Sequence, residues 1–282
     1  MMFLKRKYCR ETRINFRIKQ GGFSLIEMIV VIVLISILST IGGSFMIRTV
    51  ESYHESVNRS QLIQKGRQSI ERITRQLRVA APNSIRVSAN NLCIEWLPVV
   101  GGGNYLDELP DQDNGAAAVS TIDVSPMVFD IGTPRYVLVA ALSADEIYGV
   151  APSALALYSS INTGVIPNVI SLGAAKQFQR NSVNQRIFVT DHPNQFCVSG
   201  GNLLFHENYT SSGSFPSNAD FTGSPPNTGS VLAQGIIVSG ESPFSIVAGT
   251  EARNIIVLIE LPVTSRGEKI VLRHQVMVRN VP

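Results

Sequence analysis

The hydrophobic pattern changes twice in the first third of the chain. Residues 1–22 are basic and mixed, and Phe23 to Ile47 is an apolar run of 25 residues whose only ionisable side chain is Glu27. After Arg48, apolar positions return at Val50, Tyr53, Val57, Ile63, Gly66, Ile70, Ile73 and Leu77, mostly three or four residues apart. At ~1.5 Å per residue a helix over the apolar run exceeds the ~30 Å hydrocarbon core of a bilayer, so it can span one. The later spacing is a single stripe of an amphipathic helix with charged residues opposite. Pro82 stops the pattern, because its ring cannot continue a helix. One helix of about 87 Å is expected, with a membrane half over 23–47 and an amphipathic half over 48–81.

Beyond Pro82 the pattern shortens to β-branched segments bounded by Gly, Pro, Asn or Ser. Candidate strands are Asn91 to Val100, Arg135 to Ala141, Arg186 to Thr190, Phe196 to Val198, Leu203 to Phe205 and Asn254 to Val263. Ser199-Gly200-Gly201-Asn202 and Ser265-Arg266-Gly267-Glu268 are expected hairpin turns. In the last strand Ile270, Leu272, His274, Val276 and Val278 alternate with Arg273, Gln275 and Arg279, which fits one face buried on the long helix. Gly101 to Thr121 and Thr210 to Ser230 read as surface loops. The fold expected for 82–282 is one β-rich domain, giving an α+β chain with a long N-terminal helix packed on an antiparallel sheet.

Charge orients the apolar run. Lys5, Arg6, Lys7, Arg10, Arg13, Arg17 and Lys19 precede it against Glu11 alone, and such an excess stays on the cytoplasmic side. An ordinary secretory signal is cut after a shorter apolar stretch at a small-residue site. Here no clean site follows, and such a cut would remove half of a continuous helix. A cut in front of the run leaves the helix whole.

Gly22-Phe23-Ser24-Leu25-Ile26-Glu27 resembles the type III signal of type IV prepilins and type II secretion pseudopilins. The resemblance implies a pilin fold and a basic leader, 1–22, removed by prepilin peptidase between Gly22 and Phe23. It also implies N-methylation of Phe23. A carboxylate in a spanning helix costs up to ~3 kcal/mol and needs a partner, which the new α-amine of a neighbouring subunit would supply, so that Glu27 sets register in assembly. The local alternative is an acid favoured by the helix dipole in the first turn. Ser39 and Gly43 have the small-residue spacing that lets helices approach closely.

Three later segments, Glu71 to Arg86, Val231 to Gly235 and His274 to Pro282, look like the O-type minor pilin of mannose-sensitive haemagglutinin (MSHA) pilus systems. They are more distantly similar to the J-type minor pseudopilin of type II secretion. The implied role is a non-catalytic minor pilin in an initiation or tip complex. Its partners would be other major and minor pilins and the inner-membrane assembly platform. It would pass the inner membrane once with a periplasmic domain, then enter a pilus or pseudopilus. A secretion pseudopilin is the alternative, and a membrane-anchored periplasmic enzyme or adhesive domain is the alternative of another class.

The remaining chemistry narrows the picture. The formal charge of +3 becomes −3 once a leader carrying +6 is subtracted, which removes the basic argument for nucleic-acid binding. Of three cysteines, Cys9 lies in the leader. Cys93 and Cys197 would face an oxidising compartment and are expected to form a disulfide worth ~4–5 kcal/mol in the chain-entropy picture, with two separate buried thiols as the alternative. Lys65, Arg67, Arg72, Arg75 and Arg78 read as a solvated basic face; contact with anionic headgroups or an acidic neighbour is the functional alternative. No nucleophile elbow, phosphate loop or paired-histidine motif occurs, and His54, His192, His206 and His274 are isolated. Asp111, Asp113 and Asn114 look like part of a calcium loop, but their spacing does not match an EF-hand. No cofactor and no metal is expected.

Overall fold

A computed structural model describes residues 22–129, 132–149, 153–209, 215–216, 221, 229–249 and 254–278. The expected leader, apart from Gly22, and most of the expected loop over 210–230 lie outside these residues. The chain divides into two compact units, Met1–Glu55 and Ser56–Pro282.

Helix α1, Leu25–Arg78, runs 54 residues without a break through Gly42 and Gly43. In the first unit its side chains are exposed throughout. In the second unit it buries Leu62, Gly66, Ser69, Ile70, Ile73 and Leu77, one stripe at steps of three and four. Val50 and Tyr53, expected on the stripe, are exposed, and Leu62 is buried where Ile63 was expected. Regular helix ends at Arg78, and Ala80 instead bridges to Pro98.

The stripe packs on two antiparallel sheets. The first contains β1 (Arg86–Val87), β2 (Cys93–Trp96), β9 (Asn194–Ser199), β10 (Asn202–His206) and β11 (Ser230–Gln234), in the order β1-β2-β9-β10-β11. The second is β12 (Phe244–Val247), β13 (Ile255–Ser265) and β14 (Glu268–Val278), in chain order. Ile73, Leu77, Ile94, Trp96, Phe196, Phe205, Val257 and Leu261 share one core with the helix. Gly66 makes that approach possible: a Cβ there would stand 1.9 Å from Leu272 Cδ1 and 3.2 Å from Val263 Cγ2.

A third, six-stranded sheet has its own core. Its order is β3 (Val99–Asn104), β8 (Arg186–Thr190), β5 (Tyr136–Leu138), β6 (Leu155–Asn162), β7 (Asn168–Lys176) and β4 (Val119–Val124). Ile122, Val137, Ile170, Phe178, Ile187 and Val189 fill it. A short helix α2, Asp145–Tyr148, joins a smaller cluster with Leu97, Tyr136 and Leu155.

Both expected hairpins occur, Ser199 pairing Asn202 and Ser265 pairing Glu268. The two-residue loops have positive φ throughout, at Gly200, Gly201, Arg266 and Gly267, as turns that match the strand twist require.

Two segments differ from the sequence reading. Asn91 to Val100 is two strands in different sheets, divided at Leu97-Pro98, where Pro98 supplies no N–H for a ladder. Gly101 to Thr121 is not one surface loop: it holds the end of β3 and the start of β4, and buries Tyr105 and Leu109. The glycines at 101 and 103 belong to a strand because side chains occupy the Cβ positions, Phe129 Cδ1 at 2.5 Å and Met127 Cε at 2.8 Å. Strands β4, β6, β7, β11 and β12 were not expected; their apolar residues are diluted by Ser, Gly, Ala and Asn.

One buried ion pair stands out. Arg86 Nε donates to Glu95 Oε2 at 2.6 Å, with side-chain exposures of 10% and 0%. The guanidinium also lies 3.7 Å over the Tyr148 ring and 4.6 Å over Phe221, and the Tyr148 hydroxyl donates to the Ser84 carbonyl at 2.8 Å. Burial alone would lower the Arg86 pKa, but Glu95 and Tyr148 outweigh it and raise it. Burial first, then Glu95, holds the Tyr148 phenol well above its usual value.

Two stability predictions follow from this packing. Glu95→Ala strands a buried guanidinium and is expected to cost about 3–5 kcal/mol in denaturant unfolding of the full chain in detergent. Gly66→Leu overfills the helix–sheet contact and should cost about 1–3 kcal/mol in the same assay.

Candidate processing and assembly site

Gly22, Phe23 and Ser24 lie just ahead of α1, outside regular structure and exposed. Ser24 ends this segment as the helix cap: the Glu27 N–H donates to the Ser24 carbonyl at 3.1 Å and to its Oγ at 3.3 Å, and the Met28 N–H reaches the same carbonyl at 3.3 Å. Ser24 and Glu27 thus hold the first and last positions of a Ser-x-x-Glu capping box, a spacing legible in the sequence that the sequence reading did not use. Glu27 therefore stands at the third helical position, where the dipole favours an acid, and its side chain is exposed.

The glycine at 22 is not demanded by the fold. A Cβ there would meet nothing within 4 Å. Its φ lies outside the left-handed region, so the backbone does not require it either.

Downstream, the helix surface is apolar and uncovered by the chain. Phe23 is 75% exposed and Leu25 79%, and the large apolar residues from Ile26 to Ile47 are exposed with them. The helix is long and apolar enough to cross a membrane. The hydroxyls of Ser36, Thr40, Ser44 and Thr49 donate to the carbonyls of Val33, Ile37, Ile41 and Phe45 at 2.8–2.9 Å, so these polar groups need no outside partner in lipid. At Gly42 and Gly43 the helix surface is open, with nothing within 4 Å of a Cβ.

The other predicted residues lie in the second unit. Cys93 and Cys197 are directly opposite on β2 and β9, with Cα atoms 4.1 Å apart, and their sulfurs are bonded across 104 residues of chain. Asp111 is an organiser of its loop: its Oδ1 accepts from the N–H groups of Asp113 and Asn114 at 3.0 and 2.7 Å, and its Oδ2 from Asn181 Nδ2 at 2.6 Å. These N–H donors, led by Asn114, lower its pKa. The histidines remain apart from one another. His192 packs edge-on to Tyr136, and burial pushes its pKa down. Among the described residues no group of three or more His, Cys, Asp or Glu is placed to hold a metal.

Sequence reading missed the Arg86–Glu95 pair, because a lone Glu among strand residues gives no sign of facing inward. Cys197→Ser is expected to lower the unfolding free energy by about 2–5 kcal/mol without changing α1, read by denaturation monitored by near-UV and far-UV circular dichroism.

None of the curated proteins and none of the solved structures matches the chain. Residues 17–43 match the prokaryotic N-terminal methylation motif, and the match spans Gly22, Phe23, Glu27 and the glycine pair. This motif and the α+β fold point to a structural subunit rather than a catalyst. The chain carries the N-terminal signal of a type IV pilin-like or pseudopilin subunit, the class of protein processed by prepilin peptidase and assembled with other pilins.

Proposed function

We propose that the chain is a minor pilin of an MSHA-type type IV pilus, cut by prepilin peptidase between Gly22 and Phe23 and methylated on Phe23. It joins an initiation or tip complex at the inner membrane. The observation that carries the reading is an exposed cut site at the head of an apolar helix that the chain leaves uncovered. Gly22 is in keeping with it: among the described residues no neighbour asks for a glycine there, which leaves the residue to recognition by the peptidase. Once cut, the chain starts with a cationic amine four residues from Glu27, and in lipid the amine of one subunit finds its counter-charge on the Glu27 of the next. The choice of a minor, MSHA-type subunit rests on the resemblance of the later segments and on a β domain of some 200 residues, large for the bulk of a filament.

Intact-mass analysis of membrane-extracted protein should give a product that starts at N-methylated Phe23; retention of residues 1–22 would support an uncleaved anchor and overturn the reading. Glu27→Ala should still be cleaved yet fall at least about tenfold in pilus-fraction incorporation, measured by immunoblot, as expected for loss of a buried charge pair. Deletion of the gene should remove surface fibres by electron microscopy; loss of protein secretion with fibres intact would instead assign the chain to a type II secretion pseudopilus.

A further inference from the structure

Part of the basic stretch of α1 borders a groove. Arg67, Arg75 and Arg78 border a groove of about 840 Å³ between the helix and β14, and Arg273 and His274 border it from the strand. The buried Ile70 and half-buried Leu272 give it an apolar floor. Glu71 is the one acid on its lining. Among the described residues Arg67, Arg75 and Arg78 form no ion pair.

His274 marks where helix and strand part. It was expected on the buried face with Val276 and Val278, which are buried, but His274 itself is exposed because the helix does not cover the strand there. Leu272, Arg273 and His274 line the groove consecutively, although alternate side chains of a strand point to opposite faces. That is possible only where the strand's edge opens into the groove. β14 pairs with β13 along all 11 of its residues, and among the described residues nothing pairs with its other edge.

We propose that this groove receives an extended acidic segment of another protein, added to the sheet as a strand on the free edge of β14. Its backbone would take up the unpaired ladder groups, its apolar side chains would lie on Ile70 and Leu272, and its carboxylates would meet the arginine rim. The occupant is read from charge. A second β14 would bring no net acid, since its Lys269 pairs with Glu241 and its Arg273 with Glu260, and would leave the arginine rim unmatched, whereas an acidic strand is complementary. An anionic headgroup would satisfy the arginines but use neither the apolar floor nor the strand edge.

The test uses the full chain in detergent and a fluorescent octapeptide of alternating Glu and Val residues, with anisotropy as the readout. Binding should weaken as salt rises. It should fall at least about tenfold in the Arg75→Glu/Arg78→Glu double variant, whose altered side chains are exposed and leave the core intact. With the unaltered protein, binding should be lost when every backbone amide of the peptide is N-methylated, and when Lys replaces Glu in the peptide. No binding of the acidic peptide, or equal binding of its methylated form, would overturn the proposal, as would equal binding of an octapeptide alternating Glu and Gly. Because peptide binding is measured on purified chain, it can fail while leader cleavage and filament incorporation hold, and the reverse.

Discussion

Half of the long helix has an apolar surface that none of the described residues covers, and this constraint shapes the rest of the molecule. From Phe23 to Ile47 the side chains are exposed all round, at a cost in water of about 25 cal/mol for each Å² of apolar area. Only lipid or other apolar helices can remove that cost. Four hydroxyls on the helix, those of Ser36, Thr40, Ser44 and Thr49, already bond to carbonyls of their own helix, which eases the transfer. Glu27 sits at the capped first turn, where an acid gains from the helix dipole; an acid within a spanning helix needs a partner.

The domain holds the helix through its second half. Six buried residues between Leu62 and Leu77 do this, and the contact is close because Gly66 offers no side chain to Leu272. The sheets carry most of the core. The Cys93–Cys197 bond staples β2 to β9 at the centre of the sheet under the helix. Arg86, stacked on Tyr148 and paired with Glu95, ties that sheet to the cluster containing α2. A buried ion pair of this sort adds little net stability over apolar packing, but it tolerates one arrangement, since any other leaves a buried charge alone.

The same sequence features take different meanings on different surfaces. Arginines at 67, 75 and 78 look like an ordinary solvated face when read along the helix. The strand beside them turns that face into one wall of a groove, and the histidine that breaks the buried alternation of β14 marks its opening. Asp111 shows the converse: a loop acid that looks like a cation ligand accepts two N–H groups of its own loop and one from the distant Asn181 side chain.

What the sequence by itself determined is what depends on near neighbours. The apolar run, the 3.6-residue stripe, the helix stop near Pro82, the cut-site motif and the two hairpin turns each rest on residues within a few positions of one another, and each occurs where that local chemistry places it. Strands with dense β-branched runs, such as β8 and β13, were legible for the same reason. The tertiary structure decided what depends on distant contacts. The glycines at 101 and 103 are strand residues because Phe129 and Met127 fill their Cβ space, and Glu95 is an interior charge because Arg86 and Tyr148 reach it. The division of Asn91 to Val100 between two sheets, and the uncovered His274, were settled by which elements pack above and beside them. Periodicity reports which face a residue points to; only the packing partner decides whether anything is there.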